Sequence, residues 1–329
     1  MTERHEADAD AGVEVTRFIP VPKSVSAEAQ AFLSMDLSAM STIEELDPTD
    51  KDGWRDLFAA TNEMLAVVLE SLATVPVELE TISVEGVPVF VVVPEAIAAD
   101  ADPPVYFDIH GGGFTIGAGE TGRVMAKGSA ARTAMKIWAP DYRMPPDHPY
   151  PAALDDCVAA YRGLIEVQRP ERIVVGGGSA GGNLAAALML RARDEGLPLP
   201  AALVLLSSEA DLTQSGDSFA TNFGVDNVLT ASLTPQIALY ADGHDLTHPY
   251  LSPLFGDYTP PFPPTMLQTG TRDLFLSNTV RLHRKLRDSG VNAELHVFEA
   301  MPHGGFFGAP EDDDVGAEIR RFIATHLHP

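Results

Sequence analysis

From Val77 onward, short apolar runs alternate with longer stretches of helical periodicity. The runs Val77 to Ser83, Val87 to Val93, Val105 to Ile109, Lys136 to Ala139, Ile173 to Gly176, Ala202 to Leu206, Thr265 to Gly270 and Ala293 to Phe298 predict eight strands. The later runs are apolar without alternation, the pattern of strands buried on both faces of a mostly parallel sheet. Between them Ala152 to Gln168, Gly182 to Glu195, Ser277 to Ser289 and Asp314 to Leu327 supply crossover helices, which gives an α/β layer architecture. Residues 1–75 and roughly 213–249 break this rhythm. The first segment includes Trp54 to Leu72, where Leu57, Met64, Val67, Val68 and Leu72 recur at helical spacing. We expect one main domain over 76–329, preceded by helices and a linker over 1–75. The two irregular segments are expected to pack together as a lid over a site.

Composition narrows the function. The 329 residues hold 47 Asp or Glu against 22 Lys or Arg, a net charge of −25. Such a chain repels phosphate backbones and anionic bilayers, so neither nucleic acid nor a membrane surface is an expected partner. The apolar stretches Met64 to Ala73 and Val87 to Ala99 are interrupted by Glu70 and Glu95, and they fall short of the roughly 20 residues that span a bilayer. Cys157 is the lone cysteine, which excludes an intramolecular disulfide and a cysteine metal framework. Glu3, Glu6, Asp8 and Asp10 stand where a signal peptide carries basic and apolar residues. A cytoplasmic protein is expected.

The chemistry concentrates at loops that follow strands. Gly177-Gly178-Ser179-Ala180-Gly181 lies between the fifth strand and a helix rich in alanine and leucine. This is the strand–turn–helix setting of G-x-S-x-G, in which a sharp turn lifts a serine hydroxyl above the sheet. His110-Gly111-Gly112-Gly113-Phe114 ends the third strand. Successive glycines expose amide donors of the kind a tetrahedral oxyanion needs, so Gly111, Gly112 and the amide of Ala180 form the expected oxyanion hole. A phosphate-cradling P-loop would require a Lys-Ser/Thr after the glycines, and none follows His110 to Phe114.

A serine hydroxyl needs a base, and the base needs an acid to hold its tautomer. His303, just beyond the last strand, and Asp273, in the loop after the seventh, complete the order Ser179, Asp273, His303. Asp273 could instead cap the following helix, and Glu209 and Asp211 compete for the acid role after the sixth strand. His244 and His248 stand four apart, but Gly243 and Pro249 favour a turn over a metal-binding helix, so no metal is expected.

These motifs, with Asp141-Tyr142-Arg143 and the stretch Pro146-Asp147-His148-Pro149-Tyr150-Pro151-Ala152-Ala153, resemble the bacterial hormone-sensitive-lipase family of esterases, the family IV carboxylesterases of the α/β-hydrolase superfamily. The resemblance implies an eight-stranded, mostly parallel sheet flanked by helices, a cap built from the N-terminal helices and the segment after the sixth strand, and a catalytic domain over 76–329. It also implies a serine carboxylesterase for short- to medium-chain esters, working through an acyl-enzyme with no cofactor, on a small-molecule ester or lactone; a homodimer is left open. Three features depart from the family pattern. Gly178 replaces the common Asp before the nucleophile, Leu274 replaces the Pro after the acid, and no second acid follows shortly beyond. They resemble a subgroup labelled lactone hydrolases, so an ε-lactone hydrolase with the same triad is the alternative. A non-catalytic ligand-binding protein, as in the related plant gibberellin receptors, is the remote one, and His303 speaks against it.

Overall fold

The computed structural model describes residues 12–35, 46–47, 49–70, 75–230 and 233–327. The acidic positions Glu3, Glu6, Asp8 and Asp10, together with Leu72 and Ala73, lie outside the described residues. All eight strands are present within two residues of their expected bounds: β1 (Val77–Val84), β2 (Val87–Pro94), β3 (Val105–Ile109), β4 (Lys136–Pro140), β5 (Ile173–Gly178), β6 (Ala202–Leu206), β7 (Thr265–Gly270) and β8 (Ala293–Phe298). They form one sheet in the order β1-β2-β4-β3-β5-β6-β7-β8. The β1–β2 and β2–β4 pairs are antiparallel and the others parallel. Continuous burial explains the unbroken apolar runs: Phe107, Ile109, Val174, Val175, Leu203 and Leu267 are sealed between helical layers.

The helices are α1 (Ala27–Leu33), α2 (Lys51–Glu70), α3 (Glu120–Thr133), α4 (Ala152–Val167), α5 (Ala180–Asp194), α6 (Ser218–Thr221), α7 (Thr234–Ala241), α8 (Leu276–Asp288) and α9 (Pro310–His326). The predicted crossovers are α4, α5, α8 and α9. Helix α9 begins four residues earlier than its apolar period suggests. Pro310 occupies its first turn, and the Asp312 carboxylate accepts the amides of Phe306, Gly308 and Ala309. Helix α3 was not anticipated. Its buried face is Gly122, Val124, Ala126, Ser129, Ala130 and Thr133, small residues that let it lie close to the sheet without producing an apolar period.

Sheet order places the site. The chain leaves β3 for β4 on one side, then recrosses to β5 on the other, so the connections diverge at the carboxyl ends of β3 and β5. A crevice opens at such a switch point in open α/β sheets. The loops bordering it are those that carry Gly111 and Ser179.

The segment before β1 divides in two. Helix α1 packs on α9 and the loop before it: Ser26 Oγ donates to Glu311 at 2.7 Å, the Phe32 ring stacks on Phe307 at 5.5 Å, and Val25 and Ala29 join the core with Ile319 and Phe322. Helix α2 buries Trp54 and Phe58 against Leu239 of α7, with Ile116 packed alongside. Gly117 N donates to Asn62 Oδ1 at 2.8 Å. Helices α2 and α7 therefore meet over the loop that follows β3.

Candidate active site

Ser179 sits between β5 and α5 at φ 56° and ψ −125°, a region that costs a non-glycine residue on the order of 1–3 kcal/mol. Its amide donates to Leu206 O at 2.9 Å, and its carbonyl accepts Asn183 N and Glu209 N, so neighbouring structure holds the strain in place. A Cβ on Gly181 would lie 1.9 Å from Ile109 O, and one on Gly177 would lie 2.5 Å from Gly181. These two glycines are a steric requirement of the turn. Gly178 is not, because a Cβ there would meet nothing closer than 3.6 Å, so an Asp would also fit at this position.

The β3–β5 ladder ends at Ile109 and Gly177, which leaves the Gly111 and Gly112 amides beyond it. A Cβ on Gly111 would lie 3.2 Å from Ser179 Cβ, so the glycine loop lies directly against the serine. Gly112, at φ 112°, turns the loop, and its carbonyl accepts Thr115 N and Ile116 N at 3.0 and 2.9 Å. Ala180 opens α5, where an amide has no intrahelical acceptor. The His110 ring stacks on Tyr142 at 4.1 Å, and Tyr142 Oη donates to His110 O at 2.9 Å. Burial drives the His110 imidazole down to about 4, against the pull of the Gly111 carbonyl, so it is neutral and braces the loop. Phe114 stacks on Tyr240 of α7 at 3.9 Å.

His303, only 7 % exposed, lies on the loop between β8 and α9. Its Nδ1 is 3.2 Å from Asp273 Oδ1, which also accepts Phe275 N at 2.9 Å, while Thr269 Oγ1 donates to Asp273 Oδ2 at 2.7 Å. The Phe275 ring meets the imidazole edge-on at 4.8 Å. Burial opposes the Asp273 charge, but the His303 imidazole and the Phe275 amide hold the carboxyl below its ordinary value. For His303, burial lowers the pKa, and the bond to Asp273 with the negative charges of Asp273 and Asp226 outweighs it, leaving the imidazole above its ordinary 6.5. The arrangement suits a base that accepts a proton at Nε2 while Nδ1 stays bonded to a carboxylate.

A family model described as the α/β hydrolase fold matches residues 106–307. An esterase of Acinetobacter venetianus is 32 % identical over 268 residues, 79 % of this chain and 88 % of that one. The solved structure of an esterase superposes with a TM-score of 0.89 at 35 % identity, covering 97 % of this chain and 99 % of the other. A solved esterase from the bacterial hormone-sensitive lipase family gives 0.79 at 31 %, covering 92 % and 99 %. The chain belongs to the bacterial hormone-sensitive-lipase family of α/β hydrolases. It is a carboxylic ester hydrolase, and the family implies small-molecule esters as substrates.

In this esterase the two rival acids have other surroundings. Asp211 accepts Thr213 N at 3.0 Å, Ser215 Oγ at 2.7 Å and Arg281 Nη1 at 2.7 Å. Glu209 is buried with Oε2 unpartnered among the described residues. Burial pushes its carboxyl up to about 8, with His303 opposing, so Glu209 is largely uncharged at neutral pH. Two residues of the site were not singled out from the sequence. Tyr142 belongs to the Asp141-Tyr142-Arg143 stretch, whose spacing in the chain gives no sign of its contact with His110. Asp226, buried beside His303, lies in a segment with no regular period. Among the described residues of the esterase, no three His, Cys, Asp or Glu side chains form a metal-holding group, and no helix is long and apolar enough to cross a membrane.

Proposed function

We propose that Ser179, His303 and Asp273 are the catalytic triad of this esterase and that Gly111, Gly112 and Ala180 supply its oxyanion amides. Ser179 Oγ attacks the ester carbonyl as His303 Nε2 takes its proton, and the amides stabilise the tetrahedral oxyanion. Collapse expels the alcohol, which receives the proton from His303, and water then cleaves the acyl-enzyme by the same steps in reverse. The observation that carries this reading is the buried His303–Asp273 pair. The strained Ser179 backbone and the glycine loop against it support the reading. A fluorophosphonate probe tests it: labelling of the wild type and none of Ser179→Ala is expected. The proposed acyl range, short to medium, is tested by a screen from acetate to palmitate esters with ε-lactones included.

The base must be neutral to act, so activity disappears as pH falls through the His303 pKa. Because that pKa is raised, the acid limb of kcat/KM is expected to have its midpoint above pH 6.5. A limb below pH 6 in a pH-rate profile would argue against the buried ion pair.

The proposed cap consists of α2 with the insertion carrying α6 and α7, supported by the Trp54, Phe58 and Leu239 cluster. Helix α1 instead supports the His303 loop through Phe32, with Asn227 Nδ2 donating to Phe32 O at 3.0 Å. Deleting residues 1–36 is therefore expected to reduce kcat on acetate and bulky esters alike and to lower Tm by at least about 5 °C. Steady-state kinetics on both ester classes would reveal a pure lid role as selective loss on the bulky ones. The low cysteine content, a single buried Cys157, supports the proposed cytoplasmic location.

A further inference from the structure

The insertion after β6 does more than cover the crevice, because it grips the acid loop from above. Ser218 Oγ donates to Leu274 O at 2.6 Å, Ser277 N donates to Ser218 Oγ at 2.9 Å, and Asn222 Nδ2 donates to Thr271 O and Asp273 O at 3.2 and 2.9 Å. One side chain reaches further. Asp226, 1 % exposed, accepts four backbone amides. Its Oδ1 takes Val228 N at 2.9 Å and Leu229 N at 3.2 Å, within the insertion. Its Oδ2 takes Leu274 N at 2.8 Å, next to Asp273, and His303 N at 3.2 Å.

We infer that Asp226 is a positioning residue for ester hydrolysis: a clasp that ties the acid loop, the histidine loop and the cap insertion together, and that places a second carboxylate beside the His303 imidazole. The inference rests on the proposed triad. The two loops follow different strands, β7 and β8, and a shift of either by an ångström would break the 3.2 Å contact between Nδ1 and Oδ1. Burial, with the neighbouring Asp273, raises the Asp226 carboxyl from its ordinary value, while the His303 imidazole and the N–H donors that saturate the carboxylate favour its charged form. A neutral amide in its place would aim an N–H at donors that need an acceptor.

Three acidic groups face the imidazole: Asp273 from the acid loop, Asp226 from the insertion and Glu209 from the loop after β6. The charge on Asp226 favours imidazolium, so its removal shifts His303 ionisation to lower pH. The geometric and the electrostatic roles can therefore be read separately.

The experiment compares Asp226→Asn, Asp226→Glu and Asn222→Ala, with Ser179→Ala in parallel, by pH profiles on a short-chain nitrophenyl ester and by Tm. Asp226→Asn is expected to lower kcat/KM by about 10- to 100-fold, mostly in kcat, and to move the acid limb down by at least about half a pH unit. Asp226→Glu keeps the charge but displaces it, so kcat should fall while the limb stays near its wild-type midpoint. Asn222→Ala weakens the grip on the acid loop without altering charge, and it too should leave the limb in place. Wild-type kinetics in Asp226→Asn, or lower turnover with an unmoved limb, overturns the inference. Should Asp226→Asn fail to fold, Asp226→Glu decides: reduced kcat supports the clasp and wild-type kcat overturns it. Retained turnover in Ser179→Ala would instead overturn the triad on which the inference stands.

Discussion

Ester turnover by Ser179→Ala is expected to fall by about 10⁴-fold or more, with Tm nearly unchanged. The two halves of this expectation have separate causes. What the fold uses of Ser179 is its backbone: the amide bonded to Leu206 O, and the carbonyl accepting Asn183 N and Glu209 N. Alanine retains all three and keeps the same Cβ in the same strained φ, so the stability change belongs with those of substitutions that disturb no packing, within about 0.5 kcal/mol. The loss of rate comes from removing the atom that forms the acyl bond. The oxyanion amides remain and leave the variant some rate above water, as removal of a single triad member does elsewhere. Measurement requires protein free of contaminating esterase, with titration by the fluorophosphonate probe to count active sites. Turnover near the wild-type value in such a preparation would overturn Ser179 as nucleophile.

How much of this site can be read from the chain follows from the range of the forces involved. β3, β5, β6 and β7 are legible because burial on both faces demands unbroken apolar residues. The serine turn and the glycine loop are legible because each is a local steric demand: Gly177 and Gly181 have no room for a Cβ, and Gly112 needs φ 112°. His303 and Asp273 emerge from their places after β8 and β7, since strand order alone brings those ends together. Helix α3 is hidden because Gly122, Ser129 and Thr133 carry its buried face, and hydropathy does not count them as apolar. The site of α1 is hidden for a different reason. Its partners, Phe306, Phe307 and Glu311, are more than 270 residues away in sequence, and no local pattern encodes them. Asp226 is the hardest to foresee. Its neighbours in the chain resemble any polar loop, and its role exists only where three loops converge.

The acid assignment leads to the second large effect, because two aspartates after adjacent strands separate cleanly by their partners. Asp273→Asn is expected to lower kcat by about 10³- to 10⁴-fold. An amide at this position can turn its N–H₂ toward Nδ1, which favours the tautomer with the proton on Nε2, and Ser179 then faces a donor where it needs an acceptor. The charge that stabilises imidazolium disappears as well. The fully buried Asp273 carboxylate also accepts Phe275 N and Thr269 Oγ1, so a drop in Tm accompanies the loss. Asp211→Asn should behave in the opposite way. Its carboxylate serves Thr213, Ser215 and Arg281, and none of these touches His303. Weakening that charged cluster is expected to cost about 1–3 kcal/mol of stability, with kcat within about tenfold of wild type. Glu209 is a weaker rival still, since burial leaves it largely protonated at neutral pH, where it cannot provide the negative charge that His303 needs. If purified, folded Asp211→Asn proved the slower of the two enzymes, His303 would be oriented from the β6 side. The bond between Asp273 and His303 would then be structural, while Ser179 and His303 could keep their roles.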